Sequence, residues 1–106
     1  MRRLRARELY EYLQQTDTQP LLLDVREPWE YEYCRIEGSE LVPMGQIPSV
    51  HEDLERDREI VVICHHGIRS YQVAYFLEHM GFEQVINLEG GIDAWAREVD
   101  PDIQLY

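Results

Sequence analysis

Four consecutive β-branched residues, Ile60-Val61-Val62-Ile63, stand directly after the charged stretch Glu52 to Glu59. They stand directly before Cys64-His65-His66-Gly67-Ile68-Arg69-Ser70. A strand with no polar face must be covered on both sides, which places it in the middle of a sheet with helices on both faces. The rest of the chain repeats the alternation that builds such a sheet. Arg5 to Gln15 reads as a helix, with Ala6, Leu9 and Leu13 at spacings of three and four. Leu21-Leu22-Leu23-Asp24-Val25 reads as a second buried strand. Pro28 to Tyr33 is expected as a short helix with proline in its first turn. Leu41-Val42-Pro43 reads as a brief extended piece and Pro48 to Glu55 as another short helix. Val73, Phe76, Leu77 and Met80 repeat at helical spacing up to Gly81, a helix-ending glycine. Gln84 to Leu88 is a further strand, Gly90-Gly91 break it, and Ile92 to Val99 is a last helix. The tail from Asp100 to Tyr106 is expected to be extended or loosely docked. The fold class expected is therefore α/β, a central parallel sheet flanked by helices.

A chain of 106 residues fits one domain, residues 1–106. Hydrophobic residues make up 44%, too many for a disordered chain. Ten arginines and no lysine stand against 21 acids, for a formal charge of −11. Arg2, Arg3, Arg5 and Arg7 precede the first acid, so from Glu8 onward six arginines face all 21 acids. Such a body repels nucleic-acid phosphates and anionic lipid surfaces, so neither is an expected partner. The N-terminal MRRLRARELY has no apolar core of a secretory signal and reads as a helix start. Only Cys34 and Cys64 are present, well separated, which points to a reducing, cytoplasmic setting rather than a disulfide scaffold. A small acidic domain is compatible with a monomer.

In an open α/β sheet, sites form beyond the carboxyl ends of strands. Cys64 is the first residue past the strongest strand and precedes a helix. A thiol there meets the positive end of a helix dipole and several backbone N–H groups. Both favour thiolate, so its pKa is expected below the free value of about 8.5. Arg69 is expected to add positive charge, as are His65 and His66 when protonated. Gly67 permits the positive φ of a tight anion-binding loop, and Ser70 can cap the helix or donate to an anion. An isolated cysteine is more often a small buried hydrophobe. The strand–Cys–loop–helix context favours an activated nucleophile instead. No metal is expected, because His65 and His66 lack the further ligands and recurrent spacing of a zinc site.

These segments resemble the rhodanese family of thiosulfate sulfurtransferase-like proteins over nearly the whole chain. Leu21-Leu22-Leu23-Asp24-Val25-Arg26-Glu27-Pro28-Trp29-Glu30-Tyr31 is similar to the family's early strand with its Asp-x-Arg signature. Ile36-Glu37-Gly38-Ser39 through Pro43-Met44 resembles the segment that follows. The residues Cys64 to Ser70 fit the active-loop pattern Cys-x-x-Gly-x-Arg-Ser. Gly81-Phe82, Val85, Leu88-Glu89-Gly90-Gly91 and Trp95 resemble the closing motif. Cys34-Arg35 stands where the family commonly has Gly-His, and the active-loop lysine of some members is absent.

The resemblance implies a rhodanese-like fold and a sulfurtransferase. Cys64 would take the sulfane sulfur of a donor such as thiosulfate as a persulfide. It would pass that sulfur to a thiol, cyanide or a protein acceptor. His65, His66, Gly67, Ile68, Arg69 and Ser70 would form the substrate-binding loop, Asp24 and Arg26 would be structural, and no cofactor would be needed. Two other readings stand behind it. Rhodanese-like modules can bind partners without catalysis, or relay a persulfide to a partner protein. Cysteine phosphatases and arsenate reductases on related folds place five residues between Cys and Arg, against four here, and the wider loop admits a tetrahedral anion.

Of the remaining residues, Asp24 is expected to make an end-of-strand hydrogen bond and Arg26 to pair with a nearby glutamate. Cys34 reads as a spare thiol, and Arg35, His51 and His79 read as solvated. Trp29 and Trp95 read as large core or edge residues. Gly90-Gly91 reads as a turn that could border the site.

Overall fold

The β-branched run becomes strand β4 (Ile60–Ile63), and all four of its side chains are buried. The structure is a computed structural model that describes residues 1–106. Its other strands are β1 (Arg2–Arg5), β2 (Leu21–Asp24), β3 (Glu40–Leu41) and β5 (Val85–Glu89). Its helices are α1 (Ala6–Gln15), α2 (Pro28–Tyr33), α3 (Ile47–Val50), α4 (Ile68–His79) and α5 (Gly91–Glu98). The five strands form one sheet in the order β1-β5-β4-β2-β3, and every pairing is parallel. β4 is central, as a strand without a polar face must be. No helix is long and apolar enough to cross a membrane.

Side chains of a strand alternate between its faces, and β4 uses both. Ile60, Val62 and Cys64 join one core with Val73, Ala74 and Leu77 of α4 and with Ile47 of α3. Val61 and Ile63 join the other with Ala6 and Leu9 of α1 and Ile92 and Trp95 of α5. Each buried valine, leucine or isoleucine among these stabilises the fold by about 1.5–3 kcal/mol before entropy is counted. The same alternation aims Cys64, two residues past Val62, toward α4 rather than α1.

Several expectations are corrected. Arg2–Arg5 is not the start of a helix but the edge strand β1, paired with β5 in register Arg2↔Ile86 to Arg5↔Glu89. An edge strand needs only one inward side chain, and Leu4 alone supplies it. Its exposed arginines reach acids on neighbouring segments, Arg2 to Glu59 just before β4 at 3.9 Å and Arg3 to Glu89 of β5 at 3.5 Å. The helix expected from Pro48 to Glu55 is two shorter pieces, α3 and a 3₁₀ turn at His51–Asp53, with another 3₁₀ turn at Met44–Gln46 just before them. His51 is buried rather than solvated, with Nδ1 at 2.9 Å from the Pro48 carbonyl and its ring edge-on to Phe76 at 5.3 Å. Trp95 is a core residue as expected, whereas Trp29 is 62% exposed.

The α5 helix positions the end of β4. Its first turn donates from Ile92 N–H to the Cys64 carbonyl at 2.9 Å and from Asp93 N–H to the His65 carbonyl at 3.1 Å. This approach needs Gly91, which has φ +59°. A Cβ there would lie 2.4 Å from the His65 carbonyl oxygen and 2.5 Å from that of Cys64. Both obstacles are backbone and cannot swing aside. Gly91→Ala is therefore expected to destabilise the protein by about 2–3 kcal/mol, lowering Tm by about 10 °C or more in a thermal melt. An unchanged Tm would show that α5 does not press on the loop.

Candidate active site

The chain leaves β4 at Cys64 and turns within four residues into α4. Gly67 makes the turn with φ +98°, and a Cβ on it would lie 3.1 Å from the Gly90 nitrogen. The turn folds the first amides of α4 back over the sulfur. Gly67 N–H donates to Cys64 Sγ at 3.1 Å and Ser70 N–H donates at 3.3 Å. The Cys64 thiol donates to Ser70 Oγ at 3.3 Å. Meanwhile the loop's carbonyls are held elsewhere: those of Cys64 and His65 by α5, and that of Gly67 by the Asn87 amide of β5 at 3.3 Å. Donors thus face the sulfur while acceptors face away, an arrangement that holds negative charge on one atom.

Two features of this site differ from expectation. Cys64 is buried, 1% exposed, like an ordinary structural cysteine, because the loop wraps it. Arg69 does not stand as a free charge beside it. Arg69 Nη1 and Nη2 pair with Glu30 Oε1 and Oε2 at 2.7 and 2.9 Å. The positive field at the sulfur therefore comes from backbone N–H groups and the start of α4 more than from a side chain.

Glu30 sits in α2, where its Oε1 also accepts the Glu27 N–H at 2.9 Å. Its carboxyl is buried, which by itself would favour the neutral acid. Hydrogen bonds from Arg69, the Glu27 N–H and Tyr106 outweigh that and hold its pKa down at about 2. The buried pair expected between Arg26 and a glutamate forms instead with Asp24, both residues 0% exposed. Arg26 Nε and Nη2 donate to Asp24 Oδ1 and Oδ2 at 2.9 and 2.8 Å. Arg26 N–H also donates to Oδ1 at 3.0 Å, and Nη2 donates to the Cys34 carbonyl at 2.6 Å. Burial opposes the Arg26 charge, but Asp24 and Tyr106 together raise its pKa above the usual arginine value. Asp24 is saturated by these bonds, which gives it a structural task.

His65 and His66 follow the nucleophile. Burial first, and then His66, push the His65 pKa down from its ordinary value, which disfavours a charged imidazole beside the nucleophile. His65, His66 and Asp93 bring ligand atoms within 4.8 Å of one another. The two imidazoles, however, stack at 3.9 Å with their planes 30° apart, so their lone pairs do not converge as a chelate requires. Ile68, first in α4, is 72% exposed. Arg35 is solvated and lies over the Tyr31 ring at 4.8 Å. Cys34 is a free thiol with Sγ 3.9 Å from Arg26 Nη1.

Three participants were not read from the sequence. Glu30 had a signal, standing three residues after Glu27 and just inside a proline-led helix, the place of a capping carboxylate. Asn87 had one too, as the polar residue inside the buried run Val85–Leu88. Tyr106 had none: its hydroxyl meets Arg26 and Glu30 only through the folded chain.

The Glu30 pKa carries a sign. A carboxylate depressed in the folded state contributes stability above its unfolded value, near 4.5, and loses it as pH falls toward about 2. In urea unfolding at neutral pH, Glu30→Gln is expected to be less stable by on the order of 3 kcal/mol. The gap should close as pH is lowered from 4.5 toward about 2. Parallel stability curves for the two proteins would contradict this.

The comparisons agree with this architecture. The family described as "Rhodanese-like domain" matches residues 5–98. A protein named "Sulfurtransferase" from Allochromatium vinosum is 42% identical over 77 residues, 73% of this chain and 72% of that protein. "Probable adenylyltransferase/sulfurtransferase MoeZ" from Mycobacterium tuberculosis is 35% identical over 94% of this chain, which spans only 26% of that longer protein. Among solved structures, a rhodanese-related protein from Thermoplasma volcanium superposes with a TM-score of 0.84 at 35% identity, covering 100% of both chains. With a parallel sheet, a cysteine loop at the end of its central strand and a family match over most of its length, the chain belongs to the rhodanese-like domain family.

Proposed function

We propose that this protein is a sulfurtransferase that carries a sulfane sulfur on Cys64. The observation that carries the reading is the pair of N–H groups, from Gly67 and Ser70, converging on Cys64 Sγ at 3.1 and 3.3 Å. The Cys64 thiolate attacks the outer sulfur of a donor such as thiosulfate. A new S–S bond forms, the donor's S–S bond breaks, and sulfite leaves with its electron pair. The persulfide anion that remains is stabilised by loop amides. An acceptor nucleophile (a thiol, cyanide or a partner protein's cysteine) then attacks the terminal sulfur, and Cys64 leaves as thiolate. His65, His66, Gly67, Ile68, Arg69 and Ser70 frame the donor and the persulfide. Arg69 does so while tethered to Glu30, so donor capture rests on short-range hydrogen bonds in a chain of net charge −11.

Two features favour delivery to a protein over delivery to a small molecule. Ile68 and Trp29 are 72% and 62% exposed, one within the loop and one on the helix that anchors Arg69. Such apolar groups suit a docking protein better than cyanide. The acidity of the chain favours a basic acceptor protein. Two free thiols suit a reducing, cytoplasmic setting.

The test is intact-mass measurement after incubation with thiosulfate. Wild type is expected to gain about 32 Da, one sulfur, and Cys64→Ala to gain none while keeping its fold. No adduct with any sulfane donor, together with hydrolysis of p-nitrophenyl phosphate, would favour a phosphatase. No adduct, with a stable partner complex, would favour a non-catalytic module.

A further inference from the structure

Tyr106 lies in the segment that follows α5 and meets His65 of the Cys64 loop, Arg26, and the Glu30 that holds Arg69. Its ring stacks on His65, with centroids 3.8 Å apart and planes within 5°. Its hydroxyl accepts from Arg26 Nη1 at 2.8 Å and donates to Glu30 Oε2 at 2.7 Å. Glu30 in turn grips Arg69, and Arg26 is locked to Asp24. Trp29 and Tyr33 of α2 press edge-on against the Tyr106 ring at 5.8 and 5.7 Å. One side chain therefore reaches the residue directly after the nucleophile by its ring, and the residue five positions after it through Glu30.

We propose that Tyr106 is a positioning residue for Cys64, a clamp that closes the loop from outside and keeps the Gly67 and Ser70 amides on the sulfur. The proposal rests on the reading of Cys64 as sulfur carrier for its catalytic part only. The clamp itself is a matter of loop order. The ring and the hydroxyl act separately. Tyr106→Phe keeps the stack on His65 but leaves Glu30 and Arg26 each without one half-buried hydrogen bond. Tyr106→Leu removes both contacts. A tyrosine that merely filled space would tolerate phenylalanine and would, when lost, weaken the whole sheet evenly.

Hydrogen exchange followed residue by residue by NMR separates these cases. In both variants the amides of Gly67 and Ser70 are expected to exchange about tenfold faster or more, Leu exceeding Phe, while the amides of Val61 and Val62 in β4 keep wild-type protection. In sulfur-transfer assays Tyr106→Phe is expected to lower kcat about tenfold and to change KM for thiosulfate by less than about twofold, as loss of alignment without loss of binding does. Wild-type exchange at Gly67 and Ser70 in both variants would overturn the clamp, as would equal acceleration in the loop and in β4. Wild-type kcat in Tyr106→Phe would overturn its catalytic role. If wild type itself transfers no sulfur, the sulfurtransferase reading fails while the exchange data still decide the clamp.

Discussion

The site depends on a division of backbone polarity in the seven residues from Cys64 to Ser70. The carbonyls of Cys64 and His65 are held by the first turn of α5, and that of Gly67 by Asn87. With these acceptors tied away, the amides of Gly67 and Ser70 are left to turn onto the sulfur. Each part of the fold contributes to this. β4 delivers Cys64 on its α4 face by simple alternation. Gly91 lets α5 approach closely enough to hold the carbonyls, and Gly67 lets the chain reverse over the sulfur. A persulfide or thiolate placed there meets fixed dipoles rather than mobile side chains, which need no reorganisation as charge develops.

Around the sulfur, four charges are arranged as two pairs, Asp24 with Arg26 and Glu30 with Arg69 of the loop itself. Each pair is electrically neutral, so neither creates a positive patch on a chain of charge −11. Their value is geometric. Breaking a buried pair such as Asp24–Arg26 by removing one partner costs about 3–5 kcal/mol, because a charge is left unpaired in the interior. That rigidity fixes the end of β2 and the start of α2, from which Glu30 reaches across to α4. The N–H groups that face the sulfur thus belong to the backbone, and the ion pairs hold that backbone in place.

Much of this was legible in the sequence because it rests on local pattern. The β-branched run at 60–63, the helical spacing of Val73, Phe76 and Leu77, and the glycines around the loop each state their role within a few residues. Cys64 could be placed at the carboxyl end of the central strand from the same signals. What escaped depends on contacts between distant segments. Arg26 found Asp24 rather than a glutamate, and Glu30 went to Arg69, a residue 39 positions away. Tyr106 lies 76 positions from Glu30 and 80 from Arg26, and no periodicity spans such distances. The N-terminal arginines misled because an edge strand with a single inward leucine carries almost no hydrophobic pattern. Burial of His51 likewise comes from Phe76, a side chain on another helix.

The most direct test of the central claim is a crystal structure of the protein after exposure to thiosulfate. Electron density for one added sulfur bonded to Cys64 Sγ at about 2.05 Å is expected, with the loop amides still turned toward the sulfur. Density that ends at Cys64 Sγ while Cys34 carries the sulfur, or a loop whose Gly67 and Ser70 amides point away from Cys64, would contradict it.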